Sequence, residues 1–221
     1  MSPRDGWATT SVTQLPLPVR LHTLRQIAEK KQKMLAYVFW HWPRPDVGRA
    51  SYEQDLRNFH RTLATERPPG FQYSFVFRVG NAPWLPANAN AYEDWYVLNG
   101  SSALDAINEA AVSSRSKQAH DRAARSAAGG GAGLYRFRRG QIDFASARVA
   151  LWLSKPDGTS YDDFYASIDK VTRRSGVGLW GRQMVLGPTP EFCLLAPEEI
   201  SLDKDLNATT RVLDPVWARD K

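Results

Sequence analysis

The stretch YVFWHWPRPD, residues 37–46, has a counterpart in VALWLSKPDG, residues 149–158. Each is a β-branched and aromatic run that carries a tryptophan and then meets a Pro-Asp turn. The repetition continues beyond the turn. SYEQDLRNFHRTL (51–63) and SYDDFYASIDKV (160–171) both open on Ser-Tyr. Both hold apolar residues at helical spacing: Tyr52, Leu56, Phe59 and Leu63 in the first, Tyr161, Phe164, Ile168 and Val171 in the second. RPPG (67–70) and RSGVG (174–178) end these helices.

FQYSFVFRVG (71–80) then alternates as a strand, with Phe71, Tyr73, Phe75, Phe77 and Val79 on one face and Gln72, Ser74, Val76 and Arg78 on the other. LWGRQMVLGP (179–188) takes its place in the second half, and EFCLL (191–195) answers YEDWYVLN (92–99). In the first half an alanine-rich helix capped by Ser101 or Ser102 follows, and LYRFRR (134–139) reads as a fourth strand. GGGAG (129–133) lies between them as a helix breaker and flexible connector. It precedes a strand instead of opening a helix after one, so it is not a dinucleotide loop.

The first half therefore reads β-α-β-β-α-β, the split βαβ order, and the second begins the same order again. EEISLDKDLNATTRVLDPVWARDK (198–221) is too short and broken to repeat the alanine-rich helix. The expected organisation is an N-terminal arm and short helix over 1–33, a first ferredoxin-like unit over 34–140, a second and truncated unit over 141–200, and a tail over 201–221.

This element order resembles the dimeric α+β barrel superfamily, here as two tandem ferredoxin-like units in one α+β chain. The superfamily includes EthD-like proteins, antibiotic-biosynthesis-type monooxygenases and chlorite dismutase-like haem proteins. The resemblance implies two sheets facing each other around a cavity that takes small molecules, with helices outside. The haem branch would require a proximal histidine in the second unit. All four histidines (His22, His41, His60, His120) precede residue 121, so a ligand such as His60 or His120 would depart from that pattern. Haem is disfavoured, and no cofactor or metal is expected.

Within that frame His41 and Asp94 are the candidate proton-moving residues. His41 shares a strand face with Tyr37 and Phe39, and an imidazole titrates near neutral pH. Asp94 shares its face with Tyr92 and Tyr96, while Glu93 points the other way. A carboxylate in an apolar cavity has a raised pKa and can act as a base, although pairing of Asp94 with Arg78 is the stronger alternative. Gln72, Ser74, Arg78, Tyr96, Trp42 and Trp84 are the candidate ligand-binding residues, placed in the cavity if the phenylalanine face of 71–80 meets the helices.

Composition sets the outer limits. The 221 residues are 43% hydrophobic and 24% charged, enough for a sizeable core without staples. The lone Cys193 sits among Phe192, Leu194 and Leu195 and reads as a buried, inert thiol. No apolar run is long enough to span a bilayer, and the first residues lack a secretory pattern. The cytoplasm is the expected location, and the triplets at Asn99 and Asn207 are chance glycosylation matches. A net charge of +6 keeps a second class open, a nucleic-acid-binding module whose sheet aromatics stack bases. PGFQYSFVF and LYRFRRG carry that reading, without the motif's glycine spacing. The leading expectation is a protein that binds a small, partly apolar molecule, with enzymatic activity and homodimerisation left open.

Overall fold

The computed structural model describes residues 33–80, 82–87, 90–184, 187 and 189–218. The arm and short helix expected over 1–33 lie outside these residues, apart from Lys33. Eight antiparallel strands close into one barrel. The first half comprises β1 (Met34–Pro43), α1 (Arg49–Glu66), β2 (Phe71–Val79), β3 (Ala91–Asn99), α2 (Ala103–Ser113), α3 (Lys117–Ser126) and β4 (Ala127–Gly140). The second comprises β5 (Val149–Leu153), α4 (Tyr161–Ser167), α5 (Asp169–Thr172), β6 (Gly178–Arg182), β7 (Phe192–Ala196), a 3-10 turn (Lys204–Leu206) and β8 (Thr209–Trp217).

Around the barrel the order is β1-β3-β2-β8-β5-β7-β6-β4, with β4 returning to β1. The first half thus runs β4-β1-β3-β2 and the second β8-β5-β7-β6. The segment read as a tail supplies β8, which pairs with both β2 and β5. The polar residues around it hid it: Leu213 alone of β8 joins the barrel core, while Arg211 is half-buried and Asp214 exposed. Among the described residues, only a 3-10 turn stands between β7 and β8.

Local signals explain most boundaries. α1 buries Tyr52, Leu56, Phe59, His60 and Leu63 along one face. It begins after Gly48 and ends at Arg67 in the left-handed region, whose N–H bonds the Leu63 carbonyl at 3.0 Å. Ser160 caps α4 through the Asp163 N–H. The alanine-rich helix is two helices, interrupted at Ser114–Ser116.

GGGAG is not a connector. It lies inside β4, pairing with residues 38–42 of β1. The reason is steric: a Cβ on Gly130 would sit 2.5 Å from the Phe39 ring, and one on Gly129 would sit 2.7 Å from Trp42. These glycines let β4 pass beneath aromatic rings that project from β1. Gly130→Val is expected to cost about 1–3 kcal/mol of unfolding free energy through overpacking. Gly131→Val, where a Cβ meets nothing within 4 Å, is the control. Denaturant midpoints of the two variants check this, and equal stabilities would contradict it.

Large aromatic side chains pack the barrel interior. β1, β3, β5 and β6 each point a tryptophan inward (Trp40, Trp95, Trp152, Trp180), and Phe75, Phe77, Tyr135 and Phe144 fill around them. Trp40 meets Trp152 edge-on at 5.5 Å, and Trp95 meets Trp180 at 5.4 Å. An eight-stranded barrel is just wide enough for side chains to fill it, and the four inward indoles with the rings around them occupy this one among the described residues. The cavity expected there lies elsewhere.

Candidate functional site

The outer face of β1 and β3 lies beneath α1, α2 and α3, and there the structure opens a cavity of about 600 Å³. Tyr37, Phe39, His41, Asp94 and Tyr96 line its sheet side. Tyr52, Leu56 and Phe59 of α1, Leu104 and Ile107 of α2, and His120 of α3 are among the residues that line its helical side. Strand alternation produces the sheet wall: residues 37, 39 and 41 face out while 38, 40 and 42 face the barrel core. The β1–β3 register sets Tyr37 opposite Tyr96, Phe39 opposite Asp94 and His41 opposite Tyr92. His41 therefore meets Asp94 diagonally.

A buried polar chain crosses this wall. Tyr52 Oη lies 2.6 Å from His41 Nδ1. His41 Nε2 lies 3.1 Å from Asp94 Oδ1, off the alignment of a regular hydrogen bond. Asp94 Oδ2 accepts from Tyr96 Oη at 3.0 Å and meets His60 Nε2 at 3.0 Å. His60 Nδ1 meets Ser74 Oγ at 2.8 Å. With Asp94 ionised, one assignment satisfies every contact. Both Nε2–H groups face the carboxylate, and the two Nδ1 lone pairs accept from the Tyr52 and Ser74 hydroxyls.

Electrostatics agree with an ionised Asp94. Burial alone would raise its pKa, but the favourable electrostatics and hydrogen bonds of the adjoining His41 and His60 hold it well below the ordinary carboxylate range. The raised carboxyl pKa expected for Asp94 belongs to its neighbour. Glu93 faces the barrel core and burial pushes it up to about 7, although the Trp95 and Trp40 indoles donate to it at 2.6 and 2.8 Å. Burial, and then the Asp94 charge, raise the Tyr52 and Tyr96 phenols, so both remain neutral donors.

Other expected positions disperse. Asp94 does not pair with Arg78; Arg78 bonds Glu53 of α1 at 2.6 and 3.1 Å and also pairs with Asp214 of β8. The phenylalanine face of β2 points into the barrel, so its polar face meets α1, the reverse of the arrangement expected. Gln72 and Ser74 line a separate pocket of about 230 Å³ with Ala64, Arg67, Phe71, Tyr73 and Trp217. Trp42 and Trp84 pack against the barrel core, outside the main cavity. Of the aromatics in the nucleic-acid reading, Phe75, Phe77, Tyr135 and Phe137 are buried in the barrel core and unable to stack bases, while Phe71 and Tyr73 are partly buried.

Tyr52 and His60 are the site residues that sequence reasoning left in other roles. They fall on the buried face of α1 eight residues apart, so the helical stripe itself was the available signal. His60 also fails as an axial haem ligand, since both ring nitrogens are engaged beneath α1. His120 borders the cavity beside Asp121. Among the described residues no cluster of three or more His, Cys, Asp or Glu could hold a metal ion. No described helix is long and apolar enough to cross a membrane. Cys193 is buried, and burial, then Glu93, pushes its thiol well up.

No protein family matches the chain by sequence, and no curated protein does. Solved structures match its fold. A candidate monooxygenase from Fusobacterium nucleatum superposes with a TM-score of 0.55 at 12% identity, over 83% of this chain and 93% of that one. An anthrone oxidase-like protein gives 0.53 at 7% identity, over 86% and 94%. A candidate monooxygenase from Lactobacillus acidophilus gives 0.50 at 9% identity, over 83% and 95%. The chain thus has the ferredoxin-like α+β barrel fold, closed within a single polypeptide.

Proposed function

We propose that this protein binds a small, largely apolar molecule between the β1–β3 face and helices α1–α3, and that it is an enzyme whose His41–Asp94 pair moves a proton. One observation carries the reading: a buried Tyr52–His41–Asp94 chain ends on a largely apolar cavity of about 600 Å³. That volume is typical of small-molecule sites, where a few convergent polar groups fix orientation. A buried carboxylate that orients an imidazole against a phenol is a proton-transfer unit.

The rings of Tyr37, Phe39 and Phe59 favour a flat aromatic ligand. His41, Tyr52 and Tyr96 favour one with an ionisable O–H or an acidic C–H at the polar end. Candidate monooxygenases and an anthrone oxidase-like protein among the fold neighbours are in keeping with an aromatic substrate of that kind. The proton step uses side chains alone. The same reading takes the two four-strand halves as copies of one unit, of which only the first developed helices able to roof a cavity.

Native mass spectrometry of the purified protein, with small-molecule identification, tests the proposal. Ala111→Trp fills the cavity from α2 without touching the polar chain. The expected result is a co-purifying or added aromatic ligand retained by the wild type and lost by Ala111→Trp at unchanged thermal stability. Equal retention by the two proteins would place the ligand elsewhere.

A further inference from the structure

The polar chain does not stop at Asp94. It continues through His60, which is fully buried, to Ser74, and Ser74 lines the second pocket. Two pockets on either side of α1 are therefore joined by consecutive contacts of 3.0 and 2.8 Å. Nothing about stability alone requires a histidine there. Its neighbours Phe59 and Leu63 show that this helix face accepts apolar residues, and an imidazole is the side chain able to take a proton at one nitrogen and release another.

We infer that Asp94, His60 and Ser74 form a rear path that exchanges protons between the main cavity and solvent in the second pocket. The inference rests on the proton-moving role proposed for His41 and Asp94. The hops balance. His60 gives its Nε2 proton to Asp94 Oδ2 and receives the Ser74 hydroxyl proton at Nδ1, and water in the pocket replaces the hydroxyl proton. The reverse sequence carries a proton from Asp94 outward: Asp94 gives to Nε2, Nδ1–H gives to Ser74 Oγ, and the hydroxyl proton passes to water.

The arrangement has a use. An apolar ligand in the main cavity displaces water from the front of His41 and Asp94, so a front exchange route closes when the site is occupied. The second pocket has the room and the polar walls to hold water, with Arg67, Gln72 and Ser74 on its lining.

The test needs no ligand. In ¹⁵N-labelled protein, the exchange of the His60 imidazole hydrons with water is measured by NMR saturation transfer from the solvent. Ser74→Thr keeps the hydroxyl, and Ser74→Val is its apolar isostere, so packing changes are common to both. Wild type and Ser74→Thr are expected to exchange alike, with Ser74→Val slower by at least about tenfold. Ala64→Phe, which fills the second pocket from the helix side, is expected to slow exchange similarly and decides the matter alone if Ser74→Val does not fold. Equal exchange in the Thr and Val variants, or an unchanged rate in Ala64→Phe, would overturn the path. The two readings fail separately: loss of ligand binding bears on the proposed function, and unaltered hydron exchange bears on this path.

Discussion

Asp94→Ala is expected to lower the unfolding free energy by about 3–5 kcal/mol, the usual cost of removing one partner from a buried charged network. The carboxylate meets His41, His60 and Tyr96, all nearly or fully buried. Without it, three polar groups face a void. Asp94→Asn restores the volume but turns an N–H₂ toward one of these donors, so it recovers only part of the loss. Urea unfolding at pH 7 measures both.

The sign of the pH dependence follows from the depressed carboxyl. Its folded pKa lies below the ordinary value of about 3.9. As pH falls through that value, the unfolded chain takes up the proton first. The contribution is therefore complete above about pH 4–5 and lost progressively below it. Asp94→Ala should flatten the acid limb of the stability profile. A variant within about 1 kcal/mol of wild type at pH 7 would mean that the histidines pair satisfactorily without the carboxylate.

Glu93 should behave in the opposite sense. Its folded pKa is about 7 against an ordinary 4.5. Between those values the unfolded chain has released a proton that the folded barrel still holds. Stability contributed by this group is thus present below pH 4.5 and lost as pH rises, by roughly 3 kcal/mol once above 7. Glu93→Gln should remove that decline. It should also cost about 1–3 kcal/mol at pH 5, because its amide N–H₂ would oppose the Trp40 or Trp95 indole N–H. The quantity to compare is the difference between the wild-type and Glu93→Gln profiles across pH 5–8. A pH-independent difference would show that the two indole donors keep Glu93 ionised throughout.

Two adjacent acidic residues thus have opposite titration behaviour. Strand alternation turns Glu93 into a dry aromatic core and Asp94 toward two histidines. That they face opposite ways was legible from residue parity in YEDWYVLN, and so was the sharing of a face by His41, Tyr37 and Phe39. Which face was the core was not legible. Both faces of β1 are aromatic, and both carry one polar residue on β3. The facing of β2 is ambiguous for the same reason: Phe75 and Phe77 suit a helix interface as well as a barrel interior.

β8 escaped notice because a strand paired on both edges, with α1 touching only its end, can be largely polar and still be held by its ladders. GGGAG was obscure because glycine is depleted in strands generally. Its role at β4 depends on Phe39 and Trp42, about ninety residues earlier in the chain, and no local pattern records that contact.

Sequence by itself determined most of the strands and helices up to β7, the opposite facing of Glu93 and Asp94, and the apolar stripe of α1. Those are consequences of local periodicity, which short-range sterics and burial impose. Only the tertiary structure decided that the barrel closes over its tryptophans, that the cavity lies outside the barrel under α1–α3, and that His60 stands between Asp94 and Ser74. Those outcomes depend on register and on helix placement over the sheet, where residues tens of positions apart must meet within about 3 Å.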